Sequence, residues 1–327
     1  MFARAGEGVL KALITGISGF VGSHLAEYLL NNRPWKVAGT VFGPAQNIAH
    51  LQGRLELHPL ELSELDTVAR LLAQTKPDYI FHLAAQPLVA LSHKDPWATL
   101  SNNIRIQLNF LEALVRTRIH ARLLVVGSSE EYGLVYRDEI PVKETNPFRP
   151  LSPYAVSKIA QDMLGLQYHL SNGLDVVRAR PFNHIGPRQG PGFVAPDFAK
   201  QVAEIEAGLH SPVIRVGNLR AKRDFSDVRD VVRAYTLLME KGEPGEVYNI
   251  GSGQARMVQE VLDALLSFAQ VRIQVEEDPA RMRASDIPTI AADCSRLREC
   301  TGWEPEIPFE QSILDVLDYW RERAVSK

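Results

Sequence analysis

The chain has 327 residues, of which 45% are hydrophobic and 23% charged, with a formal net charge of −3. That length can bury a full core in one large or two modest domains, and the charge excludes a basic field drawing the whole molecule to nucleic acid or an anionic membrane. Its two cysteines, Cys294 and Cys300, cannot build a disulfide framework or a zinc site, and no apolar run reaches the ~18 residues of a membrane span, so a soluble, cytoplasmic protein without a structural metal is expected.

Short, nearly continuous apolar runs at Leu10–Thr15, Lys36–Val41, Leu55–Leu57, Tyr79–Leu83, Leu123–Val126 and Asp175–Ala179 read as strands. Helix-period segments fall between them at Val21–Asn31, Glu64–Gln74, Pro96–Arg116 and Pro153–Leu170. Strands that are apolar on both faces belong to parallel sheets covered by helices on either side. The alternation therefore predicts an α/β fold with a Rossmann-type doubly wound parallel sheet. After Pro181 the run NHIGPRQGPGFVAP is dense in Gly and Pro and reads as loop. Helices at Asp197–Ala207 and Val228–Glu240 and a strand at Glu246–Ile250 follow, the strand rejoining the sheet. A helix at Val258–Ala269, a strand near Val271–Val275 and a helix at Phe309–Arg323 complete the chain. The expected division is a dinucleotide-binding domain over 1–182 and 226–252, with a smaller, interleaved C-terminal substrate domain over 183–225 and 253–327.

The first predicted strand runs into VLKALITGISGFVG, placing Gly16, Gly19 and Gly22 between a strand and a helix. In that context the first glycine allows a tight turn, the second lets backbone approach a pyrophosphate, and the third lets the helix pack on the sheet. N–H groups at the helix start then face the phosphates, so Ser18, Phe20 and Val21 join the glycines as candidate cofactor contacts. An acid after the second strand would hold the ribose of NAD, and an Arg would accommodate the phosphate of NADP. The segment Val37–His50 contains no Asp, Glu, Lys or Arg. Thr40 or Asn47 could hydrogen-bond either cofactor, which leaves NADP and NAD both open on these residues.

YAVSK places Tyr154 and Lys158 at i and i+4, on one helical face. An ammonium about 4 Å from a phenol, at an effective dielectric near 20, favours the phenolate by about 4 kcal/mol. On that basis Tyr154 is expected to be acidified toward working pH and to act as a proton relay. The fifth strand ends LLVVGSSEEYG, so Ser128 and Ser129 lie at a strand's carboxyl end, where open α/β sheets bind ligands. Ser128 can hydrogen-bond the reacting oxygen. Glu130 either faces solvent, like most paired loop acids, or faces the substrate as a base or hydroxyl anchor.

These motifs, with His82-Leu83-Ala84-Ala85 and Arg180-Pro181-Phe182-Asn183, resemble the extended short-chain dehydrogenase/reductase family, which acts mostly on nucleotide sugars. The resemblance runs from about Leu10 to Arg323. It implies a small sugar-nucleotide domain and a homodimer joined through a four-helix bundle built from Pro96–Arg116 and Pro153–Leu170. It also implies cofactor contacts from Leu62, Leu83, Ala84, Ala85, Asn103 and Pro181, with Glu61 standing where the family has Asp and Ile106-Gln107 where it has Gly-Thr. SPYAVSKIAQDMLGLQYHLSNGLDVVRARPFNHIGPRQ and VGNLRAKRDFSDVRDVVRAY look like the reductases of GDP-4-keto-6-deoxy-D-mannose that form GDP-D-rhamnose. The similar GDP-mannose 4,6-dehydratases share the Ser/Tyr/Lys set and carry a glutamate at the position of Glu130.

By this resemblance Ser129, Asn183, Val194, Lys200, Asn218, Arg223 and Arg283 would contact the GDP-sugar, Arg223 from a loop just before the Val228 helix. Two phosphates call for guanidinium or ammonium partners, although Lys200 and Arg223 could equally be solvated surface cations. The expected activity is NADP- or NAD-dependent reduction of the keto group, with NADPH ahead of NADH. Tyr154 would protonate the oxygen, Lys158 would stabilise its anion and grip the nicotinamide ribose, and Ser128 would polarise the carbonyl. The alternative is a nucleotide-sugar dehydratase or epimerase.

Overall fold

A computed structural model describes residues 9–282 and 288–325. Strands β1 (Lys11–Thr15), β2 (Lys36–Val41), β3 (Glu56–Pro59), β4 (Tyr79–His82), β5 (Arg122–Val126) and β6 (Val176–Pro181) are linked by helices α1 (Phe20–Asn32), α2 (Leu65–Thr75), α3 (Val89–Lys94), α4 (Pro96–Thr117) and α5 (Pro153–Asn172). Then come β7 (Asn183–Ile185), α6 (Val194–Glu206), β8 (Val213–Val216), β9 (Lys222–Asp227), α7 (Val228–Lys241) and β10 (Val247–Ile250). The chain continues with β11 (Ala255–Met257), α8 (Val258–Phe268), β12 (Gln274–Glu277), α9 (Ser295–Thr301) and α10 (Phe309–Val325).

The seven-stranded sheet has the order β10-β6-β5-β4-β1-β2-β3, and every pairing in it is parallel. Its unbroken hydrophobicity has a direct cause. In β1, Ala12 and Ile14 pack into the core shared with Leu25 and Leu29 of α1 and Val232 and Leu238 of α7. Leu13 points the other way, into the core holding Leu72 of α2 and Phe110 and Leu111 of α4. Successive side chains leave opposite faces of a strand, so burial of both faces demands apolar residues at every position.

The smaller elements pack around a third core in which Phe198 and Val202 of α6, Phe225 of β9, Leu262 of α8 and Leu317 of α10 meet. Strand β9 pairs in parallel with β7 and antiparallel with β11, while β8 pairs in parallel with β12.

Several expectations are corrected here. The loop reading after Pro181 missed β7 at its start and the opening of α6 at its end. Helix α6 begins at Val194 rather than Asp197 because Pro196, which lacks an N–H, is tolerated in a first helical turn. Arg223 lies in strand β9, not in a loop. The late strand is Gln274–Glu277 rather than Val271–Val275; all four residues are exposed, so pairing with β8 and not an apolar face fixes it. Helices α3 and α9 and strands β8 and β11 had no sequence counterpart, being too short to show a period, and β9, KRDFSD, had none because it is too polar to read as a strand.

Candidate active site

One continuous cavity of about 1320 Å³ runs from the glycine loop, past the carboxyl ends of the central strands, to the smaller elements. Its floor at one end is the turn between β1 and α1. Gly16 has φ +67, and its N–H donates to Thr40 Oγ1 at 3.1 Å, tying the turn to β2. Gly19 N–H donates to Gly16 O at 3.0 Å. A Cβ at Gly22 would collide with the Gly16 carbonyl and sit 2.8 Å from Ile17 Cα, and one at Gly16 would press on Ala84 Cα at 3.3 Å. The turn therefore requires these glycines for its own packing, which leaves the main chain bare.

Helix α1 starts at this turn with no side-chain cap and no acid in its first turn. Its first N–H groups have no intrahelical acceptors, and the positive end of the helix dipole faces the cavity. That cradle suits a pyrophosphate. Thr15 Oγ1 accepts from both Leu83 N–H and Ala84 N–H at 2.9 Å, fixing the end of β4 beside the turn.

Farther along, β5 delivers Ser128 and Glu130 to the cavity wall, and α5 delivers Tyr154 and Lys158. Helix α5 is started by Pro153 at N1 and by Ser152, whose hydroxyl accepts from Ala155 N–H at 3.1 Å. Capping fixes the rotation of the first turn and aims Tyr154 and Lys158 inward. Lys158 Nζ donates to Val126 O at 2.8 Å and lies 6.0 Å from the centroid of the Tyr154 ring.

The expected acidification of Tyr154 by Lys158 does not hold in the protein alone. Burial raises the phenol well above its ordinary pKa, a hydrogen bond with Ser128 lowers it, and the charges of Glu130 and Glu131 raise it further. Desolvating a phenolate costs more than one hydrogen bond returns. The phenol is therefore neutral at neutral pH, in the state that donates a proton.

Burial also pulls Lys158 down to about 8, against the attraction of Glu131. Because the folded value lies below the ordinary lysine value of 10.5, the unfolded chain binds more protons between the two, and stability rises with pH across that window. We expect the Lys158 Cε signal of ¹³C-labelled, cofactor-free protein to titrate with a midpoint near 8. A midpoint at the ordinary lysine value would refute the desolvated setting.

Among the sequence candidates, Gly16, Ser18, Gly19, Phe20, Val21, Gly22, Thr40, Glu61, Leu62, Leu83, Ala84, Ala85 and Pro181 all line this cavity. So do Ser129, Asn183, Val194, Asn218 and Arg223. Two candidates do not reach it. Asn103 is buried beneath the wall, where Oδ1 accepts from Gln86 N–H at 2.8 Å and Nδ2 donates to Ser157 Oγ at 3.0 Å. Lys200 instead sets its ammonium 6.0 Å from the Trp320 ring centroid. Arg283 lies outside the described residues.

Sequence reasoning missed Lys94, Arg188, Tyr235 and Arg281, which also line the cavity. Only Arg188 carried a local signal, its place in the Gly/Pro-rich run, because loops of that composition bring backbone close to ligands. Glu131, paired in sequence with Glu130 and expected like it to be a solvated loop acid, is not solvated. It is fully buried behind Ser128, whose N–H donates to Glu131 Oε1 at 2.8 Å.

Comparison with known proteins bears on this geometry. The family model described as GDP-mannose 4,6 dehydratase matches residues 13–316. A GDP-6-deoxy-D-mannose reductase from Pseudomonas aeruginosa is 37% identical over 96% of this chain and 98% of its own. GDP-mannose 4,6 dehydratase 2 from Arabidopsis thaliana is 31% identical over 94% of this chain and 86% of its own. Among solved structures, that of RMD from Pseudomonas aeruginosa complexed with NADPH superimposes with a TM-score of 0.85 at 36% identity, covering 96% of this chain and all of the other. The UDP-glucose 4-epimerase of Thermotoga maritima, with UDP-glucose, gives a TM-score of 0.84 at 27% identity over 96% of this chain and 99% of the other.

Proposed function

Given that the chain belongs to the GDP-mannose 4,6 dehydratase family, we propose that it is an NAD(P)H-dependent reductase converting the 4-keto group of GDP-4-keto-6-deoxy-D-mannose to the hydroxyl of GDP-D-rhamnose. The observation that carries this is the likeness to the Pseudomonas reductase over nearly the whole of both chains, joined to a Ser128/Tyr154/Lys158 set whose phenol is held protonated. A reductase needs a proton donor at the carbonyl oxygen. A neutral phenol is one.

When bound, the reduced nicotinamide supplies the hydride. Tyr154 gives its proton to the oxygen as negative charge develops there, and Ser128, hydrogen-bonded to the phenol, orients both groups. The Lys158 ammonium, held by Val126 O, provides fixed positive charge in a desolvated wall. Asn183, Asn218 and Arg223 on the cavity wall suit the sugar and its diphosphate, the guanidinium by paired hydrogen bonds. In this reading residues 183–225 and 253–327 form the lobe for the nucleotide sugar.

A GDP-mannose dehydratase is the second reading, favoured by Glu130 on the cavity wall and by the Arabidopsis relatives. One assay separates the two. Stoichiometric loss of NADPH or NADH absorbance on adding the keto-sugar supports the reductase. A keto-sugar formed from GDP-mannose and oxidised cofactor, with no reductant added and no reduction of the keto-sugar, overturns it.

The reading includes a cytoplasmic homodimer formed through α4 and α5. These helices pack on each other and leave Trp97, Val156 and Leu170 exposed at 76, 45 and 74%, apolar side chains that a partner's helices would cover. Both cysteines are free thiols, as a reducing compartment would keep them.

A further inference from the structure

Strand β2 ends where the adenosine ribose of a dinucleotide must lie, and Val37–His50 carries no Asp, Glu, Lys or Arg there. The usual local reader of the 2′ position is therefore missing from its usual place. The cavity wall at that end includes Thr40, Phe42, Pro44 and Asn47, and, from farther along the chain, residues 60–63 and Arg188.

Arg188 leaves the loop after β7 and crosses to the dinucleotide fold. Its Nη1 donates to Asn47 O at 3.4 Å, and its Nη2 donates to Glu27 Oε2 of α1 at 2.8 Å. Asn47 Nδ2 in turn donates to Ser18 O at 3.2 Å, so the guanidinium, the segment after β2 and the glycine turn form one connected edge. The side chain is only 13% exposed. Its backbone has φ +72, a conformation that a non-glycine residue holds only when its surroundings over-determine it.

His24 is part of that determination. Its Nε2–H donates to Pro187 O at 2.9 Å, which leaves Nδ1 to accept from Arg188 Nη2 at 2.7 Å. Burial, and then the Arg188 charge, lower His24 to about 4, so this ring adds no positive charge beside the guanidinium at neutral pH.

We propose that Arg188 selects NADPH over NADH by receiving the 2′-phosphate, the group that alone distinguishes the two. The inference rests on the nicotinamide-dinucleotide reading above and deepens it by naming the cofactor. The 3.4 Å contact with Asn47 O is long for a hydrogen bond. A phosphate dianion offers shorter, charge-assisted acceptors in the planar geometry a guanidinium fits. Glu27 is then the internal anion that holds Arg188 in place and competes with the phosphate.

The test titrates NADPH and NADH separately into the full chain, the wild type beside Arg188→Gln, Arg188→Lys and Glu27→Gln. The wild type is expected to bind NADPH more tightly. Arg188→Gln should weaken NADPH roughly tenfold to a hundredfold, the range for a lost hydrogen bond to a charged group, and leave NADH affinity in place. Arg188→Lys, which keeps charge but not the fork, should fall between. Glu27→Gln should raise the preference for NADPH. A variant that is merely misfolded weakens both ligands alike, so the ratio is the readout. Equal loss for both cofactors, no loss for either, or a wild type preferring NADH overturns the assignment while the dinucleotide reading stands. Failure of the wild type to bind either cofactor sinks the dinucleotide reading itself, and this inference with it.

Discussion

Replacing Tyr154 by Phe is expected to cut turnover of the keto-sugar by about 10²–10⁴-fold, the usual worth of a positioned general acid, with cofactor affinity close to wild type. The ring is buried at 9% exposure and Phe preserves its volume, so packing of α5 should survive. What disappears is the O–H beside Ser128. Burial keeps that phenol protonated through neutral pH and beyond, so its own ionisation should not limit the wild-type rate until well on the alkaline side. Steady-state kcat, together with the dissociation constant for NADPH, separates loss of chemistry from loss of binding. A Phe variant within a few-fold of wild-type turnover would mean that another group supplies the proton.

The second large effect concerns stability. Arg180→Leu is expected to destabilise the protein by about 3–5 kcal/mol, the cost of breaking a buried ion pair from one side. Arg180 is 2% exposed, and its Nε donates to Asp162 Oδ2 at 2.7 Å while lying 3.1 Å from Glu131 Oε2. Its Nη1 donates to Tyr132 Oη at 3.0 Å and to Glu144 O at 3.1 Å. Leu would leave two buried carboxyl groups facing each other, with only Arg178, on Asp162 at 2.7 Å, to balance them.

The pH dependence of this defect has a definite sign. Burial, and then the nearby Asp162, raise Glu131 well above the ordinary carboxylate range. A carboxyl raised in the folded state contributes stability that is present below its unfolded pKa and lost as pH rises through the folded one. Without the opposing Arg180 charge this loss is steeper, so the gap between variant and wild type should widen from mildly acidic to alkaline pH. Urea denaturation of both proteins across that range measures it. Because Glu131 Oε1 anchors Ser128 N–H, the variant should also lose kcat. Wild-type stability in Arg180→Leu would show that the network is neutral in sum.

The sequence exposed the parts of this protein that are governed by neighbours along the chain. Gly16, Gly19 and Gly22 are legible because a tight turn and a close helix start forbid side chains at fixed spacing. Tyr154 and Lys158 are legible because i and i+4 share a helical face. The central strands are legible because a sheet covered on both sides must be apolar at every residue.

What depended on distant contacts was hidden. Exposed β12 exists only because β8 lies beside it, and Arg223 is ordered as a strand by β7 and β11. Lys200 stands on a helix like any groove lysine, yet it turns to Trp320.

Thus the sequence by itself determined the nucleotide fold, the phosphate turn and the proton-bearing tyrosine, since local steric and helical geometry decide each. Only the tertiary structure decided that Tyr154 is protonated rather than acidified, and that Arg188 stands beside Asn47. Desolvation and through-space charge are summed over every residue packed around a group, and the order of the chain does not contain that sum.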